Sequence, residues 1–180
     1  LFNLIISQHD YSPFLPVSYL KMGLINYNQN NDEVALRYYK TVVERFPKTK
    51  ASKEALSFVE IIYNNQGKPQ DYFDYVKEIP GASVSINLQD STIYQNAMNF
   101  YTEENFKRAS KELDNYIKRF GDDGFFIIAA NYYKAECDFY TGDKIQALNH
   151  YDYVAKQSTN PYQEKSIIKI SLLLLGKCAK

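Results

Sequence analysis

Apolar residues recur at helical spacing in the stretch Gly23–Pro47, which reads GLINYNQNNDEVALRYYKTVVERFP. Ala35, Tyr39 and Val42 lie at positions i, i+4 and i+7, which form the stripe of an amphipathic helix. The polar run before this stripe predicts a turn, with Asp32 as the N-cap, and the closing proline predicts the end of the helix. The pattern therefore predicts two antiparallel helices, and the opening glycine lets them approach closely.

The same hairpin pattern recurs along the chain. The small or close-packing residue of each first helix lies at Gly23, Val59, Ala97, Ala135 and Gly176, with spacings of 36, 38, 38 and 41 residues. Twelve residues further on, three of the second helices carry Ala35, Ala109 and Ala147. A hairpin this small cannot bury its apolar stripe alone, so the recurrence predicts a stacked array of copies.

The predicted organisation is a single array over residues 1–180. It comprises the end of a preceding repeat and a loop at 1–15, a first repeat at 16–49, a divergent second repeat with a loop at 50–89, a third repeat at 90–124, a fourth at 125–161, and the first helix of a fifth at 162–180. Asp90 and Asp143 are predicted N-caps in the third and fourth repeats. The irregular segment Ile79–Gln89 is predicted to be a loop packed on the second hairpin, with a short extended segment as the alternative.

These positions resemble the tetratricopeptide repeat (TPR) family. The matches are Tyr19, Met22, Gly23, Ala35, Tyr39 and Pro47 in the first copy, Ala97, Phe100, Ala109 and Leu113 in the third, and Ala135, Ala147 and Tyr151 in the fourth. The second copy departs most, because it lacks the alanine of the second helix and that helix is short. The spacing also exceeds the family's usual period of about 34 residues, which predicts longer helices or loops. The resemblance implies an all-α fold, a right-handed α-α superhelix (solenoid) of helical hairpins.

Within the family, the sequence YYKTVVERFP and the hydrophobic ends of the first helices look most like bacterial cell-envelope members, such as outer-membrane assembly lipoproteins and periplasmic coordinators of envelope complexes. This likeness implies a non-enzymatic scaffold that binds a peptide or helix of another protein in its concave groove. It favours the periplasm, the outer membrane or the cell surface, as part of a larger envelope protein. The alternative is a surface glycan- or nutrient-binding protein built on a TPR frame.

The family register implies which residues line the groove, namely the inward edge of the first helices. About half of them are expected only to pack between repeats, and the tyrosines of the third and fourth copies are the strongest candidates for partner contacts. The basic and asparagine side chains with which some family members clamp a terminal carboxylate are absent, which disfavours the binding of chaperone tails. The register also assigns Phe139 to this edge. The implied groove residues are Tyr63, Asn64, Tyr94, Met98, Tyr101, Tyr132, Glu136 and Tyr140.

Composition narrows the function classes. Lys plus Arg and Asp plus Glu both number 21, so the formal net charge is zero and gives no electrostatic case for nucleic acid or an anionic membrane. No run reaches the 18 apolar residues of a membrane span. The 17 tyrosines, with no tryptophan, suit both helix packing and a binding surface. Because the chain begins with leucine, it is expected to be a fragment or a processed chain.

No catalytic, metal-binding or cofactor motif is apparent, so we expect no enzyme, no metal and no cofactor. His9 and His150 are expected to be surface or inter-helix residues. Cys137 and Cys178 occupy the same position in successive first helices, whose axes lie about 8–10 Å apart. A disulfide needs Cα atoms within about 7 Å, so two free, buried thiols are predicted.

The last helix ends the chain with SLLLLGKCAK and has no second helix to cover it. Solenoids need polar caps at their ends, and neither end of this chain supplies one. The chain is therefore expected to be a piece of a longer array, or to associate end to end through this helix.

Overall fold

The computed structural model describes residues 1–9 and 11–178, with only the backbone of Lys177 and Cys178. Helices account for 79% of the structure, and the described residues contain no strand, which confirms the all-α prediction. The predicted loop Ile79–Gln89 is shorter than expected, because its last four residues begin a helix at Ile86. The helices are α1 (Phe2–Gln8), α2 (Leu15–Asn28), α3 (Asp32–Arg45), α4 (Lys50–Asn65), α5 (Pro69–Glu78), α6 (Ile86–Thr102), α7 (Phe106–Phe120), α8 (Ile127–Thr141), α9 (Lys144–Lys156) and α10 (Gln163–Cys178), with a 3₁₀ turn at Gly121–Asp123.

The chain divides into two compact units, Leu1–Ser83 and Val84–Lys180. In the first unit, α1 to α5 pack in sequence, each helix against the next; in the second unit, α6 to α10 do the same. Sequential packing of this kind is consistent with a helical repeat. The division falls inside the segment that the sequence marks as irregular, and one continuous array over residues 1–180 stays a prediction.

The first hairpin forms as its pattern predicts. Ala35, Tyr39 and Val42 are fully buried, and α3 ends at Arg45, two residues before the proline. The predicted N-cap is wrong, because Asn31 precedes the helix and makes no capping hydrogen bond, whereas Asp32 is the first helical residue. The Asp32 carboxylate instead accepts a hydrogen bond at 3.4 Å from the side chain of Gln66, the residue that follows α4.

The start of the third repeat also differs from the prediction. Ser85 caps α6 by accepting a hydrogen bond from the Leu88 amide, so the helix begins before Asp90 and includes it. The Asp90 side chain therefore lies inside the helix, and only 6% of the residue is exposed. Asp143, in contrast, caps α9 as predicted, since its carboxylate accepts a hydrogen bond from the Gln146 amide at 3.1 Å.

The alignment of small residues corresponds to close packing in every copy that has two helices. The alanines of the second helices, at positions 35, 109 and 147, are fully buried, as are Val59, Ala97 and Ala135 of the first helices. In α5, which lacks the alanine, the buried residues are larger: Tyr72, Phe73, Tyr75 and Val76. Gly176 is exposed, and a Cβ atom built there meets nothing within 4 Å. The repeat position is therefore under steric constraint only where a second helix covers it.

Gly23 and Gly176, the first and last residues of this repeat position, should respond oppositely to substitution by alanine: the first should lose stability and the second should not. In Gly23→Ala the new Cβ would lie 2.5 Å from Cε1 of Tyr39, a fully buried ring, so we expect a loss of about 1–3 kcal/mol from overpacking. Gly176→Ala is the matched control, because there the exchange only favours the helix, by up to about 1 kcal/mol. Urea denaturation followed by helical circular dichroism measures both; equal effects would contradict the close approach at Gly23.

No helix in the described part of the chain combines the length and apolar character needed to cross a membrane.

Candidate functional site

A group of partly exposed aromatic side chains lies at the C-terminal end of α8 in the second unit. Phe139 and Tyr140 are consecutive, and 36% and 55% of them are exposed. Both belong to the last helical turn, beyond the residues of α8 that form the core. We call these two residues, together with Tyr101 of α6, Phe106 of α7 and Lys169 of α10, the aromatic face.

Ring contacts hold the aromatic face together. The ring of Phe106 stacks on that of Tyr140, with centroids 4.5 Å apart, and meets that of Tyr101 edge-on at 5.7 Å. Phe139 and Tyr140 form a further edge-on pair at 5.8 Å. The Lys169 ammonium lies 4.8 Å from the centroid of the Phe139 ring, which is cation–π geometry. Four helices thus fix these side chains without covering the outer ones.

The hydroxyl group of Tyr101 is polar and neutral. Burial raises its pKa above the usual value, and the nearby Glu136 carboxylate and Tyr140 hydroxyl raise it further. A neutral phenol both donates and accepts hydrogen bonds. The aromatic face therefore offers flat apolar area with polar groups at its margins.

Glu136 does not reach solvent, although it belongs to the implied groove. Only 6% of the residue is exposed. Its carboxylate accepts a hydrogen bond from the hydroxyl of Tyr151 and pairs with the Lys169 ammonium, 3.1 Å away. Glu136 thus joins α8 to α9 and α10, and at the same time holds Lys169 in position beside Phe139.

The structure brings only some of the implied groove residues together. Tyr101 and Tyr140 belong to the aromatic face. Tyr94 stacks instead on Phe126 at 4.3 Å, and Tyr132 is buried against Tyr151 and Tyr162, with a pKa raised to about 12 chiefly by burial. Met98 is half-buried on α6, and Tyr63 and Asn64 lie on α4 in the first unit, half-buried and exposed respectively. Partner contacts of all eight residues remain a prediction.

Comparison with known proteins leaves the family open. No protein-family model matches the chain, and no curated protein matches it. The likeness to TPR hairpins therefore rests on the repeat positions themselves. Among these, Gly23 lies against Tyr39 of α3, Ala135 belongs to one buried cluster with Ala147 of α9, and Ala97 is fully buried.

A second polar group lies buried on the other side of α8. The Lys134 ammonium contacts both oxygens of Asp138, at 2.7 and 2.6 Å, and the Ser110 hydroxyl of α7 donates to the same carboxylate at 2.8 Å. Asn131 donates its side-chain N–H to the Ile127 carbonyl, so its oxygen faces Nδ1 of His150 at 2.8 Å. A neutral His150 must then carry its proton on Nδ1.

The surroundings of His150 predict that the free energy of unfolding depends on pH. Its pKa is lowered from 6.5, first by burial and then by the Lys134 ammonium; Asp138 and Asp114 act in the opposite direction. The unfolded chain therefore binds the proton more readily, and the free energy of unfolding should fall as the pH drops below 6.5. In His150→Gln, whose amide can still donate to Asn131, this part of the pH dependence should disappear. Denaturation curves across this range measure it, and identical slopes in the two proteins would contradict it.

The remaining candidate groups are structural. Cys137 is fully buried and free, as predicted, and burial raises its thiol pKa to about 12, which makes it a poor nucleophile at neutral pH. The side chain of Cys178 lies outside the described residues. Among the side chains that the structure describes, no group of three or more His, Cys, Asp or Glu residues is placed to hold a metal ion.

Sequence reasoning missed two members of the aromatic face, Phe106 and Lys169. Phe106 begins a second helix and Lys169 belongs to the fifth copy, whereas the family register directs attention to aromatic residues on the first helices of the third and fourth. Their signal in the sequence is weak, because it consists of one aromatic residue after a turn and one basic residue within an apolar helix.

Proposed function

We propose that the chain is a protein-binding scaffold of TPR-like hairpins wound into a right-handed superhelix, and that it forms part of a larger bacterial envelope protein. Its aromatic face holds a peptide or helix of the partner. The superhelix and the envelope setting rest on the resemblance stated for the sequence. The choice of surface rests on the aromatic side chains of α8.

The observation that carries this proposal is the pair Phe139 and Tyr140, exposed and yet held by neighbouring rings. Binding hot spots are rich in aromatic residues that present large contact area at a low cost in side-chain entropy. A ring already stacked on Phe106, like that of Tyr140, loses little further freedom when a partner covers it. The aromatic face also lies among four helices, so a bound segment would contact several elements at once.

A protein-binding role also fits the buried chemistry of the second unit. The charged groups of α8 all have partners: Lys134 pairs with Asp138 of the same helix, and Glu136 pairs with Lys169 of α10. The groups available to a partner at this surface are therefore mainly aromatic rings and phenol hydroxyls. These favour recognition by shape and apolar contact.

A selection of peptides from a displayed random library tests the proposal. Peptides that bind the wild-type chain should lose about 30-fold or more in affinity to Phe139→Ala/Tyr140→Ala, the effect of removing hot-spot residues worth about 2 kcal/mol or more. Ile145→Ala is the matched control, because Ile145 is also an exposed apolar residue of the second unit, at 66%, but lies on α9.

Two outcomes would contradict this function. Selected peptides that bind the double variant as tightly as the wild type would exclude the aromatic face. If no peptide bound, and a panel of glycans bound saturably instead, the glycan-binding alternative would replace the scaffold. Circular dichroism of each variant checks that the helices remain intact.

A further inference from the structure

A separate cleft lies at the other end of the second unit, where α6 meets the loop before α8. Its volume is about 350 Å³. Asn87, Asp90 and Ser91 of α6 line one side, and Phe125 and Phe126 line the other. These residues are distinct from the aromatic face, so the cleft is a second surface with its own chemistry.

Asp90 is the unusual group in this cleft. Its carboxylate accepts hydrogen bonds from the Tyr116 hydroxyl at 2.7 Å and from the Phe125 amide at 2.8 Å. Both donors are neutral, and among the described residues no lysine or arginine nitrogen lies within ion-pair distance of it. Buried carboxylates normally have a cationic partner, and a carboxylate has about four acceptor positions, of which two are used here. Asp90 therefore has both the capacity and the energetic reason to bind a cation.

The walls of the cleft suit an organic cation rather than a bare metal ion. The ring of Phe125 is 86% exposed and meets Phe126 edge-on at 4.9 Å. Phe126 is fixed by stacking on Tyr94. Aromatic faces attract ammonium groups and also pack on the alkyl chain that carries them. Ca²⁺ takes about six to eight oxygen ligands, whereas the polar side chains that line this cleft are one carboxylate, one amide and one hydroxyl.

The charged residues near the cleft also favour a cation as the ligand. Asp122 and Asp123 are exposed in the 3₁₀ turn that leads to Phe125. The nearest basic side chain along the same stretch, Arg119, donates to the Gln89 side chain at 2.5 Å. Arg119 keeps its positive charge in this contact with a neutral amide, so the three carboxylates of Asp90, Asp122 and Asp123 outnumber it by two, and this balance favours cations over anions.

We propose that this cleft binds an organic ammonium group, whose nitrogen contacts Asp90 and whose alkyl chain lies against Phe125. A lysine side chain of a protein partner and a free polyamine share this chemistry. The site is independent of the aromatic face, and neither requires the other.

Nuclear magnetic resonance titration tests the site, with the backbone amide of Phe125 as reporter because it donates to Asp90. The ammonium probes are lysine blocked at both backbone ends and putrescine; equally blocked norleucine is the uncharged control. Both ammonium probes should shift the Phe125 signal saturably at constant ionic strength, and norleucine should not. Tighter binding of blocked lysine would point to a protein side chain, and tighter binding of putrescine to a free polyamine.

Two variants locate the binding. Phe125→Ala alters an exposed ring and leaves the fold intact, and Asp90→Asn removes the charge; each should weaken binding about tenfold or more, the loss expected for a contact to a charged group. Asp123→Asn removes the same charge outside the cleft and should change affinity little. The proposal is overturned if norleucine binds equally well, if neither ammonium probe saturates, or if Phe125→Ala and Asp123→Asn behave alike.

Discussion

Replacing Lys134 by methionine is expected to destabilise the second unit by about 3–5 kcal/mol, because it leaves the charge of Asp138 buried without a partner. The two side chains are 9% and 5% exposed, and their charged atoms are in contact. The Ser110 hydroxyl would remain as a donor to the carboxylate, but a single neutral hydrogen bond replaces only part of a cationic contact. Urea denaturation followed by circular dichroism at neutral pH measures the change.

A second variant separates the loss of the pair from the loss of one partner. In Lys134→Met/Asp138→Leu both charges are removed, and apolar side chains of similar volume fill the space. Stability should return to within about 1–2 kcal/mol of the wild type, because an intact buried ion pair gains little over apolar packing. A double variant as unstable as the single one would contradict this explanation.

The matched control is an exposed pair with the same spacing. Lys156 contacts Asp152 one helical turn away, but the side chains are 73% and 49% exposed. Lys156→Met should therefore cost no more than about 0.5 kcal/mol. If Lys134→Met cost equally little, water would have to reach the Asp138 carboxylate.

Burial of charged residues is the part of this fold that helical periodicity could not predict. Within α8, Lys134, Glu136 and Asp138 occupy positions that a sequence pattern assigns to solvent or to a groove. Lys134 and Asp138 pair with each other within α8, at a spacing that a local rule can find, but α7 supplies the further donor Ser110, and α9 and α10 supply Tyr151 and Lys169 to Glu136. These partners from other helices lie 15 to 33 residues away in sequence, beyond the range of any local rule.

What the sequence does determine is the interior of each hairpin. Small residues recur at the same position in each copy because the two helices of a hairpin must pack closely at that point. The two positions concerned lie only about twelve residues apart in sequence. The sequence determines the helix ends less closely, because several neighbouring residues can each serve as the N-cap. Asp143 has a glycine before it, with φ of 90°, that ends α8, whereas Asp90 is preceded by residues that extend the helix back to Ser85.

For the candidate site too, local sequence patterns predict some of the residues, and the others depend on tertiary contacts. Tyr101 and Tyr140 could be nominated because the family register assigns both to the inward edge of the first helices. The sequence could not predict that Tyr94 and Tyr132 lie apart from them, because this depends on rings from other segments of the chain. Phe126 stacks on Tyr94, and Tyr162 stacks on Tyr132. Register assigns a residue to an edge of a helix, but its neighbours decide whether it is exposed.

Asp90→Ala is the second substitution with a large expected effect, about 3 kcal/mol or more, because two hydrogen bonds to a buried carboxylate are lost together. The residue anchors the loop before α8: it accepts from Tyr116 and from the Phe125 amide, and the Tyr116 oxygen accepts in turn from the Phe126 amide at 2.9 Å. Tyr116 is fully buried, so water cannot easily replace the carboxylate at its hydroxyl. Denaturation of the variant measures the loss, and exchange of the Phe125 and Phe126 amides should accelerate with it.

A double-mutant cycle distinguishes this network from simple loss of packing. In the Tyr116→Phe background, which lacks the hydroxyl, Asp90→Ala should cost less than in the wild type, by about 0.5–3 kcal/mol, the coupling typical of groups in one hydrogen-bond network. Additive effects would show that the carboxylate acts independently of Tyr116. Asp123→Ala, in the exposed 3₁₀ turn, is the charge-matched control and should change stability little. Asp90 also lines the cleft, so an ammonium ligand that pairs with it should raise the free energy of unfolding of the wild type and leave that of Asp90→Ala unchanged. The stability of the loop and ligand binding in the cleft would then depend on the same carboxylate.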